Sequence, residues 1–187
     1  MTSTLTVELL ISVDGWAGSD DLPGYFGYMG PEVGAWIADE LAVPHVALMG
    51  RKTYEVLSDL PDEAKDEEWE KMTRQETVVF SRTLTVVDWP NARVADDLVT
   101  ATTDLKATSE RPLRTIGSPS SVCQLLSAGL VDRLRLVTFP LFAGPHGREW
   151  AYTGIAATDL DLVEHHILDG RVMVAEYHPT GRPIPQT

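Results

Sequence analysis

The chain has 187 residues, a length that fits one domain, and we expect residues 1–187 to form a single one. Its formal net charge of −13 makes nucleic acid and anionic membranes poor partners, because an acidic surface repels phosphate groups. Cys123 is the only cysteine, which excludes an internal disulfide and a cysteine-based zinc site. The sequence has neither a secretory pattern after Met1 nor an apolar run of membrane-spanning length, so we expect a cytoplasmic protein.

Apolar residues in the first two thirds of the chain recur at alternating and then at helical spacing, which predicts strands that alternate with helices. The predicted strands span residues 4–13, 45–49, 77–80, 92–95 and 113–117. The predicted helices span residues 31–42, 51–57, 62–74, 97–108 and 119–129. Pro31 and Pro119 each stand at a first helical position, where the missing N–H of proline is harmless.

The C-terminal third predicts strands at 133–140, 160–168 and 171–178, the last two joined by the hairpin dipeptide Asp169-Gly170. Strands that alternate with helices form parallel sheets covered on both faces, and a hairpin adds antiparallel strands at one edge. The predicted fold class is therefore α/β, a three-layer α/β/α domain with a mostly parallel central sheet and a C-terminal antiparallel hairpin. Open sheets of this kind bind ligands beyond the carboxyl ends of their strands.

The first junction between a strand and a helix, Gly50-Arg51-Lys52-Thr53, has the composition of a phosphate site. A helix N-terminus offers unpaired backbone N–H groups and a partial positive charge, and a glycine permits close approach. Two cations and a hydroxyl complete the set. In the alternative interpretation, the glycine only makes the turn and both basic side chains are solvated.

Two further junctions repeat this chemistry. Ser81 and Arg82 follow the strand at 77–80, and arginine suits a phosphate monoester because its planar fork makes paired hydrogen bonds. The third junction brings a glycine and hydroxyl groups to a helix start: Gly117, Ser118, Ser120 and Ser121. An ordinary capped helix is the alternative interpretation of this third junction.

The loop at 15–31 combines glycine and proline with large apolar side chains, namely Trp16, Tyr25, Phe26, Tyr28 and Met29. Such residues are unusual in a solvated loop. They either line a pocket or pack the loop onto the core, and the sequence does not separate these alternatives.

In chain order, four segments carry a family resemblance: ISVDGWAG, LMGRKTYE, VVFSRTL and TIGSPSSVCQLLSAGLVDRLRL. Through them the chain resembles the dihydrofolate reductase superfamily. More closely, it resembles the C-terminal reductase domain of the bifunctional riboflavin-biosynthesis deaminase-reductases and the stand-alone bacterial proteins related to it. The resemblance spans residues 5–178.

The resemblance implies NADP(H) as the cofactor. In that family the segment matching Gly50–Thr53 contacts the cofactor phosphates, the segment matching Ser81-Arg82 holds the adenosine 2′-phosphate, and the segment matching Gly117–Ser121 lies against the pyrophosphate. The implied activity is NADPH-dependent reduction of a small heterocyclic substrate, similar to that of 5-amino-6-(5-phosphoribosylamino)uracil reductase in riboflavin biosynthesis. The implied assembly is a homodimer.

On the substrate side, the family segment that matches 12–15 borders the substrate, which makes Asp14 the candidate catalytic residue and Trp16 its neighbour in substrate binding. A turn aspartate is the alternative interpretation of Asp14. No Lys or Arg occurs from Glu8 through Val46, so a phosphorylated substrate would need cations from elsewhere, such as Arg133, Arg135 or Arg148.

The chain departs from the resemblance at two positions. Ser118 stands where the family usually has a second glycine, and Val33 stands where dihydrofolate reductases carry a carboxylate, with Glu32 beside it. These departures leave two alternatives open, a non-catalytic NADP(H)-binding or sensor domain and a pterin reductase of the dihydrofolate reductase type, although the missing carboxylate counts against the second. The five histidines lack metal-ligand spacing, and no metal site is predicted.

Overall fold

Eight strands and five α-helices make up the described chain, residues 2–20 and 23–185, in this computed structural model. The strands are β1 (Leu5–Ser12), β2 (Val46–Gly50), β3 (Glu76–Phe80), β4 (Ala92–Ala95), β5 (Leu113–Thr115), β6 (Arg133–Phe139), β7 (Leu160–Leu168) and β8 (Val172–Pro179). The helices are α1 (Pro31–Ala42), α2 (Arg51–Ser58), α3 (Glu67–Arg74), α4 (Leu98–Thr108) and α5 (Pro119–Ser127). None of the described helices is both long and apolar enough to cross a bilayer.

The strands form one sheet in the order β4-β3-β2-β5-β1-β6-β8-β7. The first six strands in this order are parallel, and β8 runs antiparallel to both β6 and β7. The β7–β8 hairpin closes at Asp169 and Gly170, whose φ angles of 50° and 65° fit the turn that Asp-Gly favours. The predicted α/β class, with its parallel sheet and antiparallel C-terminal hairpin, is confirmed.

Helices cover both faces of the sheet because the chain first steps toward the β4 edge and then steps back. One buried cluster joins the sheet to α4 and α5 through residues such as Leu105 and Leu125. A second cluster joins the opposite face to α1 through Val33 and its neighbours. The result is the predicted three-layer arrangement.

Strand β1 shows how alternation in the sequence sets these two layers. Every second residue from Leu5 to Ile11 is buried in the cluster of α4 and α5. The intervening Leu10 packs in the cluster of α1, and Glu8 bonds to residues on that same face. Glu8 is therefore a carboxylate placed beneath α1 and is the one charged residue of this strand.

Most predicted elements shift by one or two residues at their ends, and two of the differences have a clear local cause. The helical stretch at 62–74 divides into a 3-10 turn at Asp62–Ala64 and α3, because the carboxylate of Asp66 accepts the N–H of Trp69 at 3.0 Å and starts a new helix. The strand predicted to reach 117 ends at Thr115, since Gly117 has a φ of +57° and leaves the extended conformation.

Candidate active site

A cleft of about 1280 Å³ opens where the carboxyl ends of β2, β3 and β5 meet α2 and α5. A pocket for one drug-sized ligand is usually roughly 300–1,000 Å³, so this cleft has room for two small molecules. All of the residues that the sequence indicated for phosphate binding line it: Gly50, Arg51, Lys52, Thr53, Ser81, Arg82, Gly117, Ser118, Ser120 and Ser121.

The first and third junctions touch each other. A Cβ atom at Gly117 would lie 3.1 Å from the hydroxyl oxygen of Thr53, and one at Gly50 would lie 4.0 Å from that of Ser118. The peptide bond between Gly117 and Ser118 is cis. The two glycine turns thus form one continuous wall of backbone, hydroxyl groups and helix N-termini.

The helices that open onto this wall lack the caps found on the others. Carboxylates accept N–H groups at the start of the other three described α-helices, from Asp66 at α3, Asp97 at α4 and Asp169, across the sheet, at α1. In the described chain no side chain caps α2 or α5, whose N-cap residues are Gly50 and Ser118. The first N–H groups of α2 stay available, whereas in α5 Pro119 has no N–H and the Ser121 N–H donates to the Ser118 carbonyl at 3.1 Å, which leaves the N–H of Ser120. A helix N-terminus attracts anions.

Two cations at the cleft stand without a carboxylate partner. Arg51 pairs with Glu55 one helical turn away at 2.7 Å, so its charge is partly compensated. Lys52 and Arg82 are exposed and have no hydrogen bond or ion pair within residues 2–20 and 23–185. In a chain with a net charge of −13, two uncompensated cations in one cleft mark it as the place for an anion.

The second junction, Ser81 and Arg82, lies beside this wall because β2 and β3 are neighbouring strands of the sheet. Gly50 pairs with Phe80, so Ser81 and Arg82 leave β3 beside the start of α2. The Ser81 hydroxyl accepts the N–H groups of Thr83 and Leu84 at 3.1 and 2.8 Å. Ser81 therefore closes its own turn, and that turn presents Arg82 to the solvent.

Asp14 lies at the end of β1 and is held by a second loop. One carboxylate oxygen accepts the Ser12 hydroxyl at 2.6 Å and the Ala143 N–H at 2.9 Å, and the other accepts the Gly144 N–H at 2.8 Å. Desolvation opposes ionisation, but these hydrogen bonds outweigh it and lower the pKa of Asp14. Asp14 is not among the described residues that line the cleft.

Trp16 is likewise absent from the described residues that line the cleft. Its ring packs directly on Gly147, where no side chain would fit, and meets Trp150 edge to face with ring centroids 5.4 Å apart. From the same loop Ala17, Gly24 and Met29 line the cleft, whereas Tyr25 is buried and donates its hydroxyl to the Trp16 carbonyl. The loop at 15–31 therefore both lines the pocket and packs onto the core, the two alternatives that its sequence left open. Residues 21 and 22 of this loop lie outside the described chain.

The cleft also has an arm beneath α1 that sequence reasoning missed. Its walls are apolar, with Leu10, Val33, Trp36, Ile37, Val137 and Phe139 among the lining residues. Glu8 and Arg114 add an ion pair at 2.9 Å between Arg114 Nη2 and Glu8 Oε2. The only signal in the sequence was a glutamate at an inward position of an apolar strand.

That ion pair belongs to a larger buried network. Arg114 and Arg135 both donate to Glu8 and to Glu40 of α1, at distances of 2.6 to 3.2 Å, and Arg135 also pairs with Glu176 of β8. Burial opposes the charge of Arg135, but the surrounding carboxylates raise its pKa above the usual arginine value. Neither guanidinium is free to take up a further anion.

Solved structures share this architecture. A pyrimidine reductase-like protein from Corynebacterium diphtheriae superposes with a TM-score of 0.71 at 14% identity, over 96% of this chain and 93% of its own. A diaminohydroxyphosphoribosylaminopyrimidine deaminase/5-amino-6-(5-phosphoribosylamino)uracil reductase from Thermotoga maritima superposes with a TM-score of 0.66 at 11% identity, over 95% of this chain and 57% of its own. At these identities the likeness establishes the fold, which matches the dihydrofolate-reductase-like class expected from the sequence.

The sequence itself matches a family model and a bacterial relative. Protein YyaP of Bacillus subtilis, described as uncharacterized, is 24% identical over 183 residues, which cover 95% of both chains. The model of the RibD C-terminal domain matches residues 3–174. Because that match takes in nearly the whole of a 187-residue chain, the protein belongs to the RibD C-terminal domain family of oxidoreductases.

Proposed function

We propose that the chain is an NADPH-dependent reductase of a small heterocyclic substrate. The observation that carries this proposal is the single cleft lined by all of the predicted phosphate-binding residues, with two uncapped helix N-termini and two unpaired cations. The family supports the reductase class. A dinucleotide with an additional phosphate fits this set because it distributes its charge over three separate anion positions.

Different residues of the cleft fit different phosphate groups of such a cofactor. The N–H groups at the start of α2 and the Ser120 N–H of α5, with Lys52, fit a pyrophosphate, and Arg82 fits the 2′-phosphate that distinguishes NADPH from NADH. The Ser118 hydroxyl lies 2.9 Å from that of Ser120, so it is turned along the wall. NADPH, when bound, supplies the hydride, and the protein's own task is to bind, orient and exclude water.

The substrate-side roles of Asp14 and Trp16 stay predictions. Their contacts favour a positioning role, because Asp14 fixes the loop at 141–144 and Trp16 fixes the loop at 147–150. Arg148 and Glu149, which line the cleft, belong to the second of these loops. We propose that these two residues hold the substrate-side wall.

Calorimetric titration with NADPH and with NADH tests the cofactor assignment. We expect NADPH to bind at least tenfold more tightly, about 1.4 kcal/mol, and Arg82→Ala to remove that preference while NADH affinity stays unchanged. Arg93→Ala is the control, since Arg93 is an exposed cation outside the cleft lining. Failure of the folded wild-type chain to bind either nucleotide would overturn the proposed function.

We also propose that two copies associate through β7. This strand pairs with β8 on one side only, and its other edge leaves backbone N–H and C=O groups open to another strand. Leu162 and Ile167 are each 55% exposed, which is unusual for large aliphatic side chains in one strand. A second copy that pairs edge to edge would satisfy these backbone groups and place its own side chains beside Leu162 and Ile167.

A further inference from the structure

Glu8 stands next to the turn that forms the cofactor wall. Leu5 pairs with Leu113 and Thr6 with Arg114, and β5 ends one residue later at Thr115, two residues before Gly117. The Glu8 N–H donates to the Thr115 hydroxyl at 3.0 Å, which agrees with this register. Neighbouring strands lie about 4.8 Å apart, so Glu8 lies at the point where the arm beneath α1 meets the cofactor wall.

The two oxygens of the Glu8 carboxylate differ. Oε2 accepts from Arg114 at 2.9 Å and from Arg135 at 3.2 Å. Within the described chain no hydrogen bond reaches Oε1, although the side chain is only 14% exposed and lines the cleft. In the described chain the buried side-chain atoms without a hydrogen-bond partner are Ser58 Oγ and Thr102 Oγ1, so Glu8 Oε1 is open to the cleft and can accept a donor from a bound molecule.

The surroundings define what that donor is. The arm is walled by aliphatic and aromatic side chains, which suit a flat ring, and of the charged network only Glu8 and Arg114 are among its described lining residues. The two guanidinium groups of that network are shared among three carboxylates: Glu8, Glu40 and Glu176. Three carboxylates against two guanidinium groups leave one net negative charge. A phosphate would meet this charge and find no free cation beneath α1.

We propose that Glu8 is a specificity-determining residue that accepts a hydrogen bond from an N–H group on the edge of a flat nitrogen heterocycle. The arm takes this ring in an uncharged or cationic form, and any phosphate on the substrate stays outside it. This inference rests on the proposed function, because the ring is placed beside the cofactor wall.

The test is calorimetric titration of the NADPH-saturated full-length chain with 2,4-diaminopyrimidine and with 2,4-dimethylpyrimidine. The two rings have nearly the same shape, but only the first presents N–H donors. We expect the diamino ring to bind at least tenfold more tightly. Equal binding of the two rings, or no binding of the diamino ring at millimolar concentration, would overturn the proposal without any variant.

Two variants then assign the effect to one residue. Glu8→Gln should weaken 2,4-diaminopyrimidine at least tenfold, because the acceptor loses its charge. Glu40→Gln removes a carboxylate from the same two arginines, yet Glu40 is absent from the described lining, so affinity should change less than threefold. An equal loss in both variants would mean that the network, and not contact with Glu8, sets affinity.

The nucleotide titration separates this inference from the function on which it rests. If the wild-type chain binds NADPH but shows no preference between the two rings, the Glu8 assignment fails and the cofactor assignment stands. If NADPH does not bind, the reductase proposal fails. The ring titration on the nucleotide-free chain then decides whether Glu8 still selects donors.

Discussion

Gly30 lies so close to the carboxylate of Asp169 that a Cβ atom at Gly30 would collide with it. The carboxylate comes from the β7–β8 turn and accepts the N–H groups of Gly30, Glu32 and Val33 at 3.0 to 3.2 Å. The C-terminal hairpin thus caps α1, the helix that covers the arm of the cleft. Gly30→Ala should lower the free energy of unfolding by about 1–3 kcal/mol, because the added methyl group must displace this cap.

Gly34→Ala is the matched control for this prediction. Gly34 lies in the same helix, is exposed, and has no atom within 4 Å of a built Cβ. Alanine there should stabilise the chain by roughly 0.5–1 kcal/mol, because glycine is a poor helix former. Urea unfolding of both variants measures the contrast, and a Gly30→Ala protein as stable as Gly34→Ala would contradict the collision.

The same cap predicts a dependence on pH. Hydrogen bonds from the Glu32, Val33 and Gly30 N–H groups, the first being the largest cause, lower the pKa of Asp169 below its usual 3.8. A lowered folded-state pKa gives stability that is full above the unfolded value and is lost as pH falls through the folded value. The difference in stability between wild type and Asp169→Asn should therefore be constant at neutral pH and shrink below about pH 4. A difference that stays unchanged down to pH 2 would show that the charge is unimportant.

Loss of Arg135 should be among the most destabilising single changes in the chain. Its side chain is 10% exposed and forms ion pairs with Glu8, Glu40 and Glu176. Arg135→Met leaves carboxylates buried without their counterion and should cost about 3–5 kcal/mol in urea unfolding. Arg111→Ala, which breaks an exposed pair with Glu76 at 3.8 Å, should cost less than about 1 kcal/mol. A similar loss of unfolding free energy in both variants would mean that the buried ion pairs contribute no more to stability than an exposed one.

The association proposed at β7 predicts a change in mass. Light scattering of the wild-type chain should give twice 20.6 kDa, and Ile167→Lys should give the monomer mass, because a charged side chain would be buried at the interface. Val86→Lys is the control, since Val86 is 70% exposed and lies far from β7 in the sequence. A monomeric wild-type chain would rule out this assembly at the concentration measured.

Local pattern determined much of what the sequence could predict. Helix 31–42 and strand 160–168 coincide with α1 and β7, because Pro31 marks the start of the helix and the turn Asp169-Gly170 marks the end of the strand. The three phosphate junctions could be grouped because parallel strands bring their carboxyl ends to one edge.

Contacts between distant segments could not be predicted in this way. Asp14 accepts hydrogen bonds from Ala143 and Gly144, which lie about 130 residues further along the chain, and Glu8 accepts one from Arg135, which lies 127 residues further along. Single-sequence periodicity carries no information on such pairs. For this reason Asp14 was assigned to the substrate from resemblance alone, and the network beneath α1 was not foreseen.

The bare starts of α2 and α5 have a consequence for the free protein. A cap at a helix start typically contributes about 1 kcal/mol, and these two helices lack it, which leaves open the first N–H groups of α2 and the Ser120 N–H of α5. They are thus the elements expected to fray first, ahead of the aspartate-capped helices. Occupancy by an anion would tighten them, so amide exchange in these two first turns should report the filling of the cleft directly, whatever reaction takes place within it.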